Sequence, residues 1–255
     1  HRTLGINYFK IDGVKATSAA SEQNLKSLFD RVLDESHGRV TFDLDVTAEV
    51  RPGYFGAPRP GPLFVENRYT DWHRYWPHQT LRNLWTLAHY IDPLRLRFEF
   101  LNVSRNQNLY PDDPLAPSLY SPASLFASVM VANPLGWFEI SNLPDSYFEQ
   151  LPPLVALWKQ HRPRMHAARI LPVGSAPDGT SWTGFVSVAE DGREAWAILF
   201  RELNPAREWS LQVPFAAPNL RAEVLSGAGQ ATYRNGVLNA RIDAELGYLW
   251  VHRRP

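Results

Sequence analysis

The chain has 255 residues, of which 44% are hydrophobic, and its 26 basic side chains balance 26 acidic ones. That hydrophobic fraction excludes a disordered chain, and the zero net charge argues against a nucleic-acid or anionic-membrane surface, which needs a basic excess. The absence of cysteine excludes disulfides, thiolate metal sites and a cysteine nucleophile, and no apolar run approaches the roughly 18 residues of a membrane span.

Residues 1 to 168 alternate strand-like and helix-like segments. In the first predicted helix, apolar side chains recur at helical spacing after Ser21, which we expect to be the N-cap. The predicted strands are Ile6–Asp12, Val40–Glu49, Leu63–Asn67, Leu96–Asn102 and Trp137–Ile140. The predicted helices are Ser21–Glu35, Thr80–Ile91, Ser121–Val131 and Tyr147–Ala168, the last interrupted at Pro152 and Pro153.

Five β-then-α units in succession predict a parallel sheet, which either a (β/α)8 barrel or a doubly wound fold would contain. The second predicted strand favours the barrel, because Asp43, Asp45 and Glu49 lie on one face and apolar residues on the other. A doubly wound sheet buries both faces of its strands against helices, so its strands are almost entirely apolar. A charged strand face instead fits a barrel whose lumen opens into an active site.

The pattern changes after about residue 170. Short alternating segments follow one another between turn signals, which predicts an antiparallel β-sandwich over residues 169–255. Asn235-Gly236 is a strong signal for a type I′ hairpin. We therefore expect two domains, 1–168 and 169–255.

The first predicted strand ends on a candidate catalytic carboxylate. Its alternation places Tyr8, Lys10 and Asp12 on one face, and barrels keep their catalytic groups at the carboxyl ends of such strands. A lysine two residues earlier would help to keep Asp12 ionised, as a nucleophile requires. The plainer interpretation is a strand-end aspartate that caps the next loop.

The segment from Glu66 to Trp72 is a second candidate, because it combines two carboxylates and an arginine with aromatic side chains beyond a strand end. Aromatic rings stack on the apolar faces of sugars, and carboxylates and arginine bind hydroxyls. A surface loop with a salt bridge is the alternative. Asp43, Asp45 and Glu49 could also be a divalent-metal cluster, but a row of hydrogen-bonding groups in the lumen is favoured. No zinc spacing, phosphate-binding loop or dinucleotide fingerprint is present, so we expect neither a metal nor a cofactor.

Several of these motifs resemble glycoside hydrolase clan D, which contains families 27 and 36, the α-galactosidases or melibiases. Tyr8-Phe9-Lys10-Ile11-Asp12-Gly13 resembles the fourth barrel strand of that clan. Phe64–Trp72 with Pro77–Trp85 resembles the sixth strand and the helix that follows it. Glu99–Asn102 resembles the seventh strand and Pro134–Glu139 the eighth, and Gly174–Phe185 resembles the entry to the C-terminal β domain. The Cys- and Gly-rich fifth-strand signature of family 36 is replaced by Asp45–Gly56, which leaves galactose specificity open.

The resemblance implies a retaining glycosidase acting on α-linked saccharides. Asp12 matches the catalytic nucleophile, and Asp71 is mapped to the general acid/base, with Glu66 as the alternative. Retaining hydrolysis requires the two carboxyl groups to lie about 5–5.5 Å apart. The residues expected to bind the substrate are Lys10, Asp43, Glu66, Arg68 and Trp72.

The resemblance also implies a partial (β/α)8 TIM barrel, strands four to eight, followed by an antiparallel β-sandwich domain. An open half barrel exposes a strand edge and apolar helix faces, so we expect a homo-oligomer or a missing N-terminal barrel half to cover them. The expected partner is an oligosaccharide or glycoside, not a nucleic acid or a membrane. A non-catalytic sugar-binding homologue, a transglycosidase on the same scaffold and, more distantly, a metal-dependent enzyme are the alternatives.

Overall fold

The N-terminal part of the protein is a five-stranded parallel sheet. The computed structural model describes residues 1–47, 52–66, 76–100, 110–136, 138, 140–215, 217 and 221–254. The strands are β1 (Tyr8–Ile11), β2 (Thr41–Asp45), β3 (Leu63–Glu66), β4 (Leu96–Glu99) and β5 (Asn133–Leu135). They pair in chain order, each parallel to the next. Consecutive units of a (β/α)8 barrel have this strand order, which confirms the predicted partial barrel.

Helices separate the strands. They are α1 (Ala19–Glu35), α2 (Pro52–Phe55), α3 (Pro77–Leu87), α4 (Pro122–Ala127) and α5 (Asp145–Ala167). The prediction of Ser21 as the first N-cap was wrong, because Ser18 occupies that position. Ser18 accepts a hydrogen bond from the Ser21 backbone N–H, and the Ser21 hydroxyl oxygen accepts one from the Ser18 N–H, which is a capping box.

Two further predictions in this part were wrong. The fifth strand was expected at Trp137–Ile140, of which residues 137 and 139 lie outside the described part of the chain; the structure has it at Asn133–Leu135, and Ile140–Asn142 forms a 3-10 turn. Pro134 is tolerated in β5 because this strand ends the sheet. Helix α5 also continues through Pro152 and Pro153. Tertiary packing outweighs the proline penalty there, since Trp158 is buried in the core and its Nε1 donates to the Met130 carbonyl at 3.0 Å.

The C-terminal part is antiparallel, as predicted. The strands are β6 (Arg169–Gly174), β7 (Trp182–Val188), β8 (Ala195–Arg201), β9 (Glu208–Gln212), β10 (Arg221–Gly227), β11 (Gly229–Arg234), β12 (Val237–Ile242) and β13 (Gly247–Arg254). One sheet has the order β10-β13-β8-β7-β6 and the other β11-β12-β9. Residues Asn235 and Gly236 have positive φ values of 51° and 86°, which confirms the predicted turn between β11 and β12.

Two apolar clusters hold these layers together. One lies between the two antiparallel sheets and includes Val186, Leu199 and Leu249. The other joins the parallel sheet and its helices to the opposite face of the larger antiparallel sheet, where Trp196 and Trp250 are buried. Helix α5 ends at Ala167 and β6 begins at Arg169, which is where the predicted boundary between the two domains falls. The division of the chain into two domains at that point stays a prediction.

Candidate active site

The parallel sheet has one polar face, and the register shows which residues share it. Lys10 pairs with Asp43, Asp45 with Phe64, and Phe64 with Arg97, so these side chains lie on the same side of β1 to β4. The other side is buried and apolar; its members include Phe42, Leu44, Leu96 and Phe98. We call the first side the polar sheet face; besides Lys10, Asp43, Asp45, Phe64 and Arg97 it includes Tyr8 and Glu99.

Asp12 follows β1 directly, at the carboxyl end of the parallel sheet. Its side chain is 60% exposed, and its Oδ2 lies 3.1 Å from the Lys10 ammonium. The same ammonium lies 2.9 Å from Asp45 Oδ2 and 4.3 Å from the centre of the Phe64 ring. Burial acts to lower the pKa of Lys10, but the hydrogen bonds to Asp45 and Asp12 outweigh it and raise that pKa.

Asp43 is a buried carboxylate of the polar sheet face. Its Oδ2 accepts a hydrogen bond at 2.8 Å from Arg97, which also donates to the Tyr8 hydroxyl. Burial raises the pKa of Asp43 to about 6, with the positive charge of Lys10 opposing the rise and the negative charge of Asp45 adding to it.

Glu66 occupies different surroundings. The register shifts between Phe64 and Glu66, so that Glu66 pairs with the buried Phe98. The Glu66 side chain is buried, and its Oε1 accepts a hydrogen bond from Asn83 of α3. The structure therefore brings Lys10, Asp12 and Asp43 together, and holds Glu66 against a helix.

The remaining predicted site residues lie outside the described part of the chain. These are Asp71, Arg68 and Trp72, together with Glu49 and Glu139. Among the residues that the structure describes, no group of three or more His, Asp or Glu side chains could hold a metal ion. Asp43 and Asp45 each face a cationic side chain instead, Arg97 and Lys10 respectively. In the same described ranges, no helix has the length and apolarity that a bilayer span requires.

Sequence reasoning missed Arg97 and the ion pair between Asp45 and Lys10. A signal for Arg97 was present, because alternation in Leu96-Arg97-Phe98-Glu99 puts Arg97 and Glu99 on one face. The sequence held no comparable signal for the choice of ion-pair partners, which depends on how neighbouring strands are aligned.

No family model and no curated protein matches the chain. Solved structures do match. The galactosidase domain of the α-galactosidase-sucrose kinase AgaSK has a TM-score of 0.71 at 12% identity and covers 98% of this chain and 34% of its own. The GH36 α-galactosidase AgaA of Geobacillus stearothermophilus, in its complex with stachyose, has a TM-score of 0.70 at 14% identity, over 97% of this chain and 35% of its own.

The α-galactosidase of Lactobacillus brevis has a TM-score of 0.68 at 14% identity, over 98% of this chain and 35% of its own. The fold is therefore that of glycoside hydrolases, and more particularly the fold of family-36 α-galactosidases. This confirms the family-36-like fold that the sequence motifs indicated. The chain spans about a third of the length of the solved structures that it matches.

Proposed function

We propose that the protein is a retaining glycosidase for α-linked saccharides, in which Asp12 is the nucleophile and Asp71 the general acid/base. The observation that carries the proposal is the place of Asp12. It is an exposed carboxylate at the carboxyl end of a parallel strand in a family-36-like fold, with the Lys10 ammonium 3.1 Å away. A carboxylate so placed is open to a substrate and lies within ion-pair distance of a cationic side chain.

In the proposed reaction, an Asp12 oxygen attacks the anomeric carbon while protonated Asp71 gives its proton to the leaving oxygen. The bond to the leaving group breaks, and a covalent glycosyl ester forms on Asp12. Asp71 then takes a proton from water, whose oxygen attacks the same carbon and releases the sugar. Lys10, Asp43, Arg68 and Trp72 bind the sugar in this proposal.

The substrate class in this proposal is an α-galactoside. The proteins with the same fold are α-galactosidases, and structures of AgaA variants contain stachyose or 1-deoxygalactonojirimycin. The chain spans about a third of the length of those proteins, so we propose both the α-galactosidase activity and the galactose substrate for it.

Hydrolysis of a nitrophenyl α-galactoside by the full chain tests the proposal. Asp12→Asn should lower kcat by on the order of 10³-fold or more, while calorimetric binding of 1-deoxygalactonojirimycin persists. Asp34→Asn is the matched control, because Asp34 is an exposed aspartate on α1 whose partner is Arg59. An undiminished rate in Asp12→Asn would overturn the assignment.

Two other experimental outcomes would support one of the alternative functions instead. Binding of 1-deoxygalactonojirimycin without turnover would indicate a non-catalytic sugar-binding protein. Transfer of the sugar to an added saccharide acceptor, detected by product analysis, would indicate a transglycosidase. The two carboxyl groups of Asp12 and Asp71 should lie about 5–5.5 Å apart in an experimental structure, whereas about 6.5–9.5 Å would indicate inversion.

A further inference from the structure

Asp45, which ends β2, carries a carboxylate whose two oxygens both have partners on the polar sheet face. Only 3% of its side chain is exposed. Its Oδ1 accepts hydrogen bonds from the backbone N–H and the hydroxyl of Thr47, at 2.8 and 2.6 Å. These two bonds fix the plane of the carboxylate and leave Oδ2 for the Lys10 ammonium at 2.9 Å.

Lys10 thus lies between two unequal carboxylates. Asp12 is largely exposed, and an ion pair to an exposed group does little to fix a flexible lysine side chain. Asp45 is buried and already oriented by Thr47, so its attraction for the ammonium is screened less by water. The face of the Phe64 ring, 4.3 Å from Nζ, restricts the ammonium further.

We propose that Asp45 is a positioning residue, which holds the Lys10 ammonium in the place from which it contacts Asp12. The inference rests on the proposed role of Asp12 as the nucleophile. Without the Asp45 carboxylate, the Lys10 ammonium would lose the less exposed of these two carboxylate partners, and the lysine side chain would gain rotamer freedom. Asp45 also begins the stretch that replaces the fifth-strand signature of family 36, so the resemblance assigns it no role.

Titration of Lys10 and steady-state kinetics of the full chain together test this inference. The chain contains four lysines, so the ammonium signal of Lys10 can be assigned in an NMR spectrum with one Lys10→Arg variant. The test variants are Asp45→Asn, which keeps the shape and removes the charge, and Asp45→Glu, which keeps the charge. Asp178→Asn is the matched control, because Asp178 Oδ1 accepts the same two bonds from Thr180, at 2.8 and 3.0 Å, without a lysine partner among the described residues.

We expect Asp45→Asn to lower the pKa of Lys10, because one of the two hydrogen-bonded carboxylates that raise it is lost. In the same variant, kcat for a nitrophenyl α-galactoside should fall about 10-fold or more, because the ammonium no longer keeps its place beside Asp12, and KM should rise as well, because Lys10 also binds the sugar. Asp45→Glu should recover part of both effects, and Asp178→Asn should show neither.

An unchanged pKa of Lys10 in Asp45→Asn would overturn the inference, and so would a lowered pKa with an undiminished kcat. A wild-type chain that does not hydrolyse the galactoside would overturn the proposed function instead. The titration of Lys10 then decides by itself whether Asp45 holds the ammonium.

Discussion

The ion pair between Arg97 and Asp43 crosses over β3, which lies between the two strands that carry these residues. Arg97 of β4 donates to Asp43 of β2 at 2.8 Å. The side chains are 20% and 5% exposed, so the pair lies mostly away from water. It ties together the strands that surround the proposed site, and its electrostatics lead to two predictions.

The first prediction concerns removal of the cation. Arg97→Met leaves a buried carboxylate without its arginine, and we expect a loss of about 2–3 kcal/mol in the free energy of unfolding at pH 7. The loss should be smaller at pH 5, where Asp43 can take up a proton. Urea denaturation at both pH values measures it. Arg241→Met, which removes an exposed partner of Asp243, should have little effect at either pH; equal losses for the two variants would contradict the prediction.

The second prediction concerns the pH dependence that Asp43 itself contributes. The pKa of Asp43 is raised from 3.8 to about 6, so the folded state binds its proton more tightly than the unfolded chain. The resulting stabilisation is present below pH 3.8 and is lost as the pH rises through about 6, each unit of the shift being worth about 1.4 kcal/mol.

Comparison of the wild type with Asp43→Asn by urea denaturation between pH 4 and pH 7 tests the second prediction. The stability of the wild type relative to this variant should fall across that range. Asp191→Asn, at an exposed turn where Oδ1 accepts from the Arg193 N–H, should follow the wild type at every pH. A constant difference between wild type and Asp43→Asn would show that Asp43 titrates alike in the folded and unfolded chains.

Local patterns in the sequence predicted the polar sheet face but not its pairing. Alternation is a property of one strand, so the placement of Asp43 beside Asp45 and of Lys10 beside Asp12 follows from the residues alone. The contact of Arg97 with Asp43 depends on the order of three strands, which alternation does not encode. The position of β5 was likewise not encoded locally, because the tolerance of Pro134 in this strand depends on its place at the edge of the sheet.

The third prediction concerns the entry to the β-sandwich. Glu202 is buried, and its Oε2 accepts hydrogen bonds from the backbone N–H groups of Asp178, Gly179 and Ser181 at 3.1, 2.9 and 2.9 Å. Burial raises the pKa of Glu202, and these three bonds oppose the rise. Glu202→Ala leaves three donors without their acceptor and should cost about 2–4 kcal/mol, measured by urea denaturation.

Glu202→Gln retains a carbonyl oxygen in nearly the same place, so its loss of stability should be clearly smaller than that of Glu202→Ala. Glu190→Ala, at an exposed turn position, controls for removal of a glutamate. Equal losses for the alanine and glutamine variants of Glu202 would mean that the charge, rather than the acceptor geometry, holds the turn.

The fourth prediction concerns the contact between α5 and the β-sandwich. Trp196 is buried, stacks on His252 with ring centres 5.0 Å apart, and donates from Nε1 to Nδ1 of His161 at 3.2 Å. His161 can accept this bond only while Nδ1 is unprotonated. Burial first, and then the neighbouring His252, lower the pKa of His161; Arg164 adds to this, whereas Glu194 and Glu223 oppose it. The stabilisation is therefore present above pH 6.5 and is lost as the pH falls through the lowered value.

Trp196→Phe removes the donor, so its cost in the free energy of unfolding should be about 1 kcal/mol or more at pH 7.5 and should shrink at an acidic pH at which His161 is protonated, as the wild type then loses the bond as well. Trp182→Phe is the matched control, because Trp182 Nε1 donates at 2.8 Å to the backbone carbonyl of Ala206, which does not titrate. Urea denaturation should therefore give the same cost for Trp182→Phe at both pH values. If the cost of Trp196→Phe is likewise independent of pH, the bond to His161 contributes nothing to the contact, and the burial of the indole ring with its stacking on His252 accounts for the role of Trp196.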